Sequence, residues 1–146
     1  MIDGVGQAIR CLNQQGYFVF VVTNQGGVGL GLMSQADLDR IHEKLVSHVR
    51  RCGGVIHQIK VCTHKPKAGC ACRKPKPGML LELAEEYDLD LGESYMVGDR
   101  SIDIEAGKNA GTKTIFIGSS AEAPPDVDLV SQSLAEAVEL LFGLEE

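Results

Sequence analysis

The sequence has no tryptophan, and only 5% of its 146 residues are aromatic. So few stacking side chains, with a formal net charge of -6, argue against a general nucleic-acid binder, a zinc-ribbon type included. Long apolar runs are also lacking. The longest strongly apolar stretch, Tyr17–Val22, falls far short of the roughly 20 residues a membrane-spanning helix needs. Met1-Ile2-Asp3-Gly4 opens with neither the charged leader nor the long apolar segment of a signal peptide. No internal repeat or low-complexity tract occurs. The five cysteines are an odd number and follow no secretory signal, so reduced thiols in a reducing, cytoplasmic compartment are expected. What is present is ordinary: 44% hydrophobic and 23% charged residues, in a chain long enough to bury a core. Collagen-like, coiled-coil and disordered readings fail on that composition.

Charge is unevenly spread. Residues 1–81 carry 11 Lys and Arg against 4 Asp and Glu, whereas residues 82–146 carry 3 against 16. Six of the basic residues lie between Lys60 and Lys76 with no acid among them. Taken by itself, such a block is more often a solvated loop than a site.

Periodicity sets the expected elements. Val5, Ala8, Ile9 and Leu12 recur at helical spacing and Gly16 follows as a stop. Tyr17–Val22 is β-branched and aromatic throughout, which predicts a strand buried on both faces, as in a parallel sheet. Ser34 with Asp37 starts a helix whose inner stripe is Leu38, Ile41, Leu45 and Val49. Val55–Cys62 is a second strand, a helix begins near Pro77, and Tyr95-Met96-Val97 is a third strand. Ile102–Ala110 forms a helix closed by Gly111, Thr114–Ile117 a fourth strand, and Ser133 with Glu136 caps a last helix. His42, His48 and His57 fall within these patterns and read as surface or packing residues. Strands alternating with helices predict an α/β fold with a parallel sheet, whose ligands sit at the carboxyl ends of the strands.

Four constellations leave those ends. Cys62, His64, Cys70 and Cys72 offer three thiols and an imidazole, the number a closed tetrahedral zinc site takes. Lys65, Lys67, Arg73 and Lys74 favour their thiolate form, and the competing readings are a disulfide or incidental cysteines. Arg73 and Lys74 precede a proline-set helix start, where free amides already attract anions. Asp99 and Asp103 put two hard carboxylates on one side of a helix start, which suits Mg²⁺ and suits equally an N-cap with a surface acid behind it. Thr23-Asn24, in a polar, glycine-rich turn, suits a phosphoryl cradle or an ordinary turn.

Together and in this order, VVTNQ at 21–25, the Cys/His cluster, CRKPKPGM at 72–79 and MVGD at 96–99 resemble the haloacid dehalogenase-like (HAD) phosphatase superfamily. They are most similar to its branch containing D-glycero-D-manno-heptose 1,7-bisphosphate phosphatases and histidinol-phosphate phosphatases. The resemblance covers nearly the whole chain. It implies a three-layer, Rossmann-like parallel sheet with helices on both faces, as a single domain over residues 1–146. A zinc-binding loop at 62–72 stands in place of a cap domain. It further implies that Thr23 holds a phosphoryl oxygen beside Asn24, that Lys74 stabilises the phosphoryl group, and that Arg73 and Arg100 meet substrate. Asp99, with Asp103 behind it, is implied for Mg²⁺, and Cys62, His64, Cys70 and Cys72 for Zn²⁺. The implied activity is Mg²⁺-dependent hydrolysis of a small phosphorylated metabolite by a monomer with no nucleic-acid or membrane partner. Heptose bisphosphate is the leading substrate and histidinol phosphate the alternative.

One family element is missing. The reaction runs through an aspartyl-phosphate formed on an Asp-x-Asp-Gly-Thr motif, and these 146 residues contain no Asp-x-Asp-Gly. Met1 is therefore expected to be an internal position of the family pattern, with the first, central strand and its catalytic loop absent. Two pairs of strands should then flank a gap, and either the two halves close onto each other or the chain is a fragment that folds poorly. This chain is expected to show no phosphatase turnover, and a non-catalytic phosphate- or zinc-binding module is the competing reading.

Overall fold

The structure, a computed structural model, describes residues 4–24, 35–62 and 74–143. Val5, Ala8, Ile9 and Leu12 form the inner stripe of α1 (Val5–Gln14), with Ala8 and Ile9 buried. β1 (Phe20–Asn24) follows, then α2 (Gln35–Arg51) and β2 (Gln58–Cys62). α3 (Gly78–Tyr87) starts behind Pro77 and buries Met79 and Leu83. β3 (Tyr95–Gly98), α4 (Ser101–Ala110), β4 (Lys113–Ile117), β5 (Leu129–Ser131) and α5 (Leu134–Phe142) complete the described chain. At α5 the expected cap is formed: Ser133 Oγ accepts from the Glu136 N–H at 3.0 Å, and the Glu136 carboxylate accepts from the Gln132 N–H at 2.8 Å.

Every strand pairing is parallel. β1 pairs with β2 from Phe20↔Gln58 to Asn24↔Cys62. β3 pairs with β4 from Tyr95↔Lys113 to Gly98↔Phe116, and β4 with β5 from Ile115↔Leu129 to Ile117↔Ser131. Among the described residues no ladder joins β1 to β3, so the strands form a pair and a triplet. They flank an interruption, as expected, and do not close onto each other. At the amino-terminal ends the two groups meet through rings: Tyr17 lies 6.1 Å from Tyr95 and 5.7 Å from Phe142, centroid to centroid. α1, α2 and α5 pack together on one face, where Ile9, Val49 and Ile56 form a core joined by Val5, Val19, Val21, Leu45, Val46, Ile59 and Leu134. α3 and α4 pack on the other. The fold is thus α/β with parallel strands between two helical layers.

Three expectations are corrected. The strand predicted at Tyr17–Val22 is laddered over Phe20–Asn24 and is half-buried, with Phe18 51% exposed, since helices and a second strand cover it only in part. Ile41, assigned to the inner stripe of α2, is exposed. The fifth strand, β5, was not expected. Among the described residues no helix is long and apolar enough to cross a membrane.

Candidate active site

Parallel pairing brings the carboxyl ends of the strands to a common edge. Thr23 and Asn24 end β1 beside Val61 and Cys62 of β2, and Gly98 ends β3, followed by Asp99 and Arg100. Asp99 and Arg100 are exposed, whereas Asp103, in the first turn of α4, is buried. The Asp103 carboxylate turns back over the helix start, where one oxygen accepts from the Arg100 N–H at 3.3 Å. It satisfies one of the amides that a helix start leaves open.

The other carboxylate oxygen of Asp103 lies 2.5 Å from Lys74 Nζ, in an ion pair whose side chains are 8% and 12% exposed. Lys74 Nζ also donates to the main-chain carbonyl of Val22 at 3.3 Å. The lysine therefore crosses the interruption between the strand groups, from β1 to the start of α4. Two opposite charges this sheltered are tolerated because each offsets the other's lost hydration. Room for the contact comes from Gly98. A Cβ there would lie 2.2 Å from Asp103 Cβ and 2.5 Å from a carboxylate oxygen.

Beyond Lys74 the chain makes a cis peptide to Pro75, whose carbonyl accepts from the Asn109 side-chain amide at 3.0 Å. The sequence reading missed Asn109. The nearest available signal was the pair of prolines at 75 and 77, which strip donors from that segment without saying who replaces them.

Of the sequence-derived candidates, Thr23, Lys74, Asp99, Arg100 and Asp103 lie at or bridge toward the carboxyl edge. His64, Cys70, Cys72 and Arg73, and the side chain of Asn24, fall outside the described residues. Cys62 is buried at the end of β2. Among the described residues no group of three or more His, Cys, Asp or Glu gathers, so the zinc expectation stands on the sequence spacing alone. For a hard divalent cation the donors fit in kind. Asp99 is an exposed carboxylate at a strand end, while the Asp103 carboxylate behind it is engaged by Lys74 and the Arg100 amide.

A family model described as HAD-hydrolase-like matches residues 71–139. The D-glycero-β-D-manno-heptose-1,7-bisphosphate 7-phosphatase of Bordetella bronchiseptica is 43% identical over 110 residues, 75% of this chain and 62% of its own length. That of Pseudomonas putida is 36% identical over 140 residues, 92% of this chain and 80% of its own length. The crystal structure of the B. bronchiseptica D,D-heptose 1,7-bisphosphate phosphatase with magnesium and phosphate superposes with a TM-score of 0.89 at 36% identity. The match covers 97% of this chain and 83% of that one. The chain spans 62–65% of the length of several curated relatives it matches.

Proposed function

The chain belongs to the HAD-like hydrolases, within the family of D-glycero-β-D-manno-heptose-1,7-bisphosphate 7-phosphatases, and from that premise we propose that its residues form the phosphate-gripping part of a heptose-bisphosphate phosphatase site. The observation that carries the reading is the placement of Lys74. Its ammonium is fixed between the Val22 carbonyl of β1, one residue before Thr23, and the Asp103 carboxylate of α4, four residues after Asp99.

In this reading Lys74 offsets the charge of the phosphoryl oxygens, and the Thr23 hydroxyl donates to them. Asn24, Arg73 and Arg100 contact the sugar or its second phosphate. Asp99 would hold Mg²⁺, with Asp103 behind it. When bound, that ion supplies charge neutralisation at the transferring phosphoryl group. Asp103 holds the Lys74 ammonium in position through their ion pair. The attacking carboxylate of an Asp-x-Asp-Gly-Thr motif is not among these 146 residues, so they hold and orient the phosphoryl group without turning it over.

We infer in addition that Cys62, His64, Cys70 and Cys72 bind a structural Zn²⁺. A Cys3His donor set fills all four tetrahedral positions and leaves none for catalysis. Support comes from the donor spacing and from Cys62 being buried at the end of β2. Metal analysis of the purified protein should find one zinc per chain, lost in Cys70→Ser; a chain without zinc refutes this part.

The main reading is tested by calorimetric titration with inorganic phosphate in the presence of Mg²⁺, on the native chain and on Lys74→Met. Phosphate binding that Lys74→Met weakens about 10- to 100-fold, to a level still measurable, is expected. Assays with heptose 1,7-bisphosphate and histidinol phosphate should show no release by this chain. A version joined to a strand ending in Asp-x-Asp-Gly-Thr should hydrolyse the heptose bisphosphate in preference. Phosphate binding indifferent to Lys74 overturns the site. A joined version that binds phosphate without hydrolysing it favours a non-catalytic module.

A further inference from the structure

We propose that Asn109, at the last turn of α4, is a positioning residue for Lys74. The proposal rests on the reading that Lys74 grips phosphate.

The segment Lys74-Pro75-Lys76-Pro77 is unusually poor in hydrogen-bond donors. Two of its four residues have no N–H, and α3 begins only at Gly78. The Pro77 carbonyl is taken up by that helix, accepting from the Leu81 N–H at 2.9 Å. The Pro75 carbonyl lies before the helix and receives no donor from it. Asn109 provides one at 3.0 Å, across 34 residues of sequence. Asn109 is exposed, so its side chain is not there to fill a core.

The same helix therefore holds the lysine at two places. Asp103, in the first turn, takes the ammonium tip. Asn109, six residues on and about 9 Å farther along the axis, holds the Pro75 carbonyl, one residue past the base of the lysine. A lysine side chain tethered only at its tip keeps rotamers that let its base slide, and side-chain entropy favours that freedom. Fixing base and tip to one rigid element removes it. The ammonium is then held in place before an anion arrives, and an anion that binds it does not have to order it.

The test uses the full 146-residue chain and inorganic phosphate with Mg²⁺. Asn109→Ala should weaken phosphate binding about 2- to 10-fold, the effect of one lost hydrogen bond. Asn109→Asp, of the same shape but turning an acceptor toward the Pro75 carbonyl, should weaken it at least as much. Asn109→Gln, which keeps the donor, should recover part of the loss. In the Lys74→Met background Asn109→Ala should cause no further loss, because the asparagine acts only through the lysine. A readout free of phosphate is the ¹H–¹⁵N signal of the Lys74 ammonium, assigned by its absence in Lys74→Met and expected to shift or vanish in Asn109→Ala. An unchanged signal, or losses that multiply in the double variant, overturns the proposal. Should the native chain fail to bind phosphate while the signal still responds to Asn109, the phosphate-site reading falls and the positioning stands.

Discussion

Replacing Gly98 by alanine puts the close approach of β3 and α4 under direct strain. The new Cβ would sit 2.2 Å from Asp103 Cβ, an atom fixed by the helix backbone, and 2.5 Å from a carboxylate oxygen. Ordinary carbon–carbon contact is about 3.5–4.0 Å, so strand and helix must part by more than about 1 Å. Overpacking of this kind costs about 1–3 kcal/mol. Here it also pushes the carboxylate off Lys74, and disrupting a sheltered ion pair costs about 3–5 kcal/mol when one partner is left exposed to no other. The two costs overlap, so a loss near 3–4 kcal/mol is expected in urea unfolding, with phosphate binding lost as well. Gly111→Ala separates space from backbone conformation. That glycine has φ +89° and nothing within 4 Å of its would-be Cβ. Its replacement should cost only the left-handed penalty of about 1–2 kcal/mol and leave phosphate binding intact. If Gly98→Ala unfolds at the same urea concentration as the native chain and still binds phosphate, the argument from the Gly98–Asp103 contact is wrong.

Asp103→Asn removes the countercharge of Lys74 without changing shape; urea unfolding should register a loss of about 3–5 kcal/mol, and a loss below about 1 kcal/mol contradicts the sheltered-pair description. His57→Leu strands the Val19 N–H, which donates to His57 Nδ1 at 3.0 Å, and should cost about 1–3 kcal/mol by the same measurement. Tyr17 is held above its ordinary value of 10.0, chiefly by burial and next by Tyr95, so its neutral form is favoured in the folded chain. The unfolded chain therefore ionises first, and stability present below pH 10 is lost as pH rises from there through the raised value. Melting curves at pH 9 and pH 11 should show a smaller alkaline drop for Tyr17→Phe than for the native chain; an equal drop refutes the assignment.

How far the sequence could be read depended on whether the deciding partner was local. The run from Tyr95 through Gly98-Asp99 to Ala110 was legible because a short apolar strand, a glycine and a periodic helix each carry their own signal. The cap at Ser133 and Glu136 was legible for the same reason. β5 was not, because three residues are too short for a pattern. It is defined by neighbours: Gly118 N–H donates to the Ser131 carbonyl, and Asp128 takes both the amide and the hydroxyl of Thr114. The limits of β1 were misplaced because ladder register belongs to the partner strand, and β2 begins at Gln58. Within the site, Thr23, Lys74 and Asp99 could be singled out from residue type and order. The pairing of Lys74 with Asp103, 29 residues apart, and the role of Asn109, one polar residue on an exposed helix face, were invisible until the helices were placed.

Lys74 is also a tether. It ties the strand groups together at the end opposite the rings of Tyr17 and Tyr95. An anion seated on this ammonium is thus shared by both halves of the molecule, and its binding energy tightens their union. Occupancy and cohesion become a single equilibrium. Amide exchange in β1 and at the start of α4 should slow together as phosphate is added, like two leaves drawn in by one clasp.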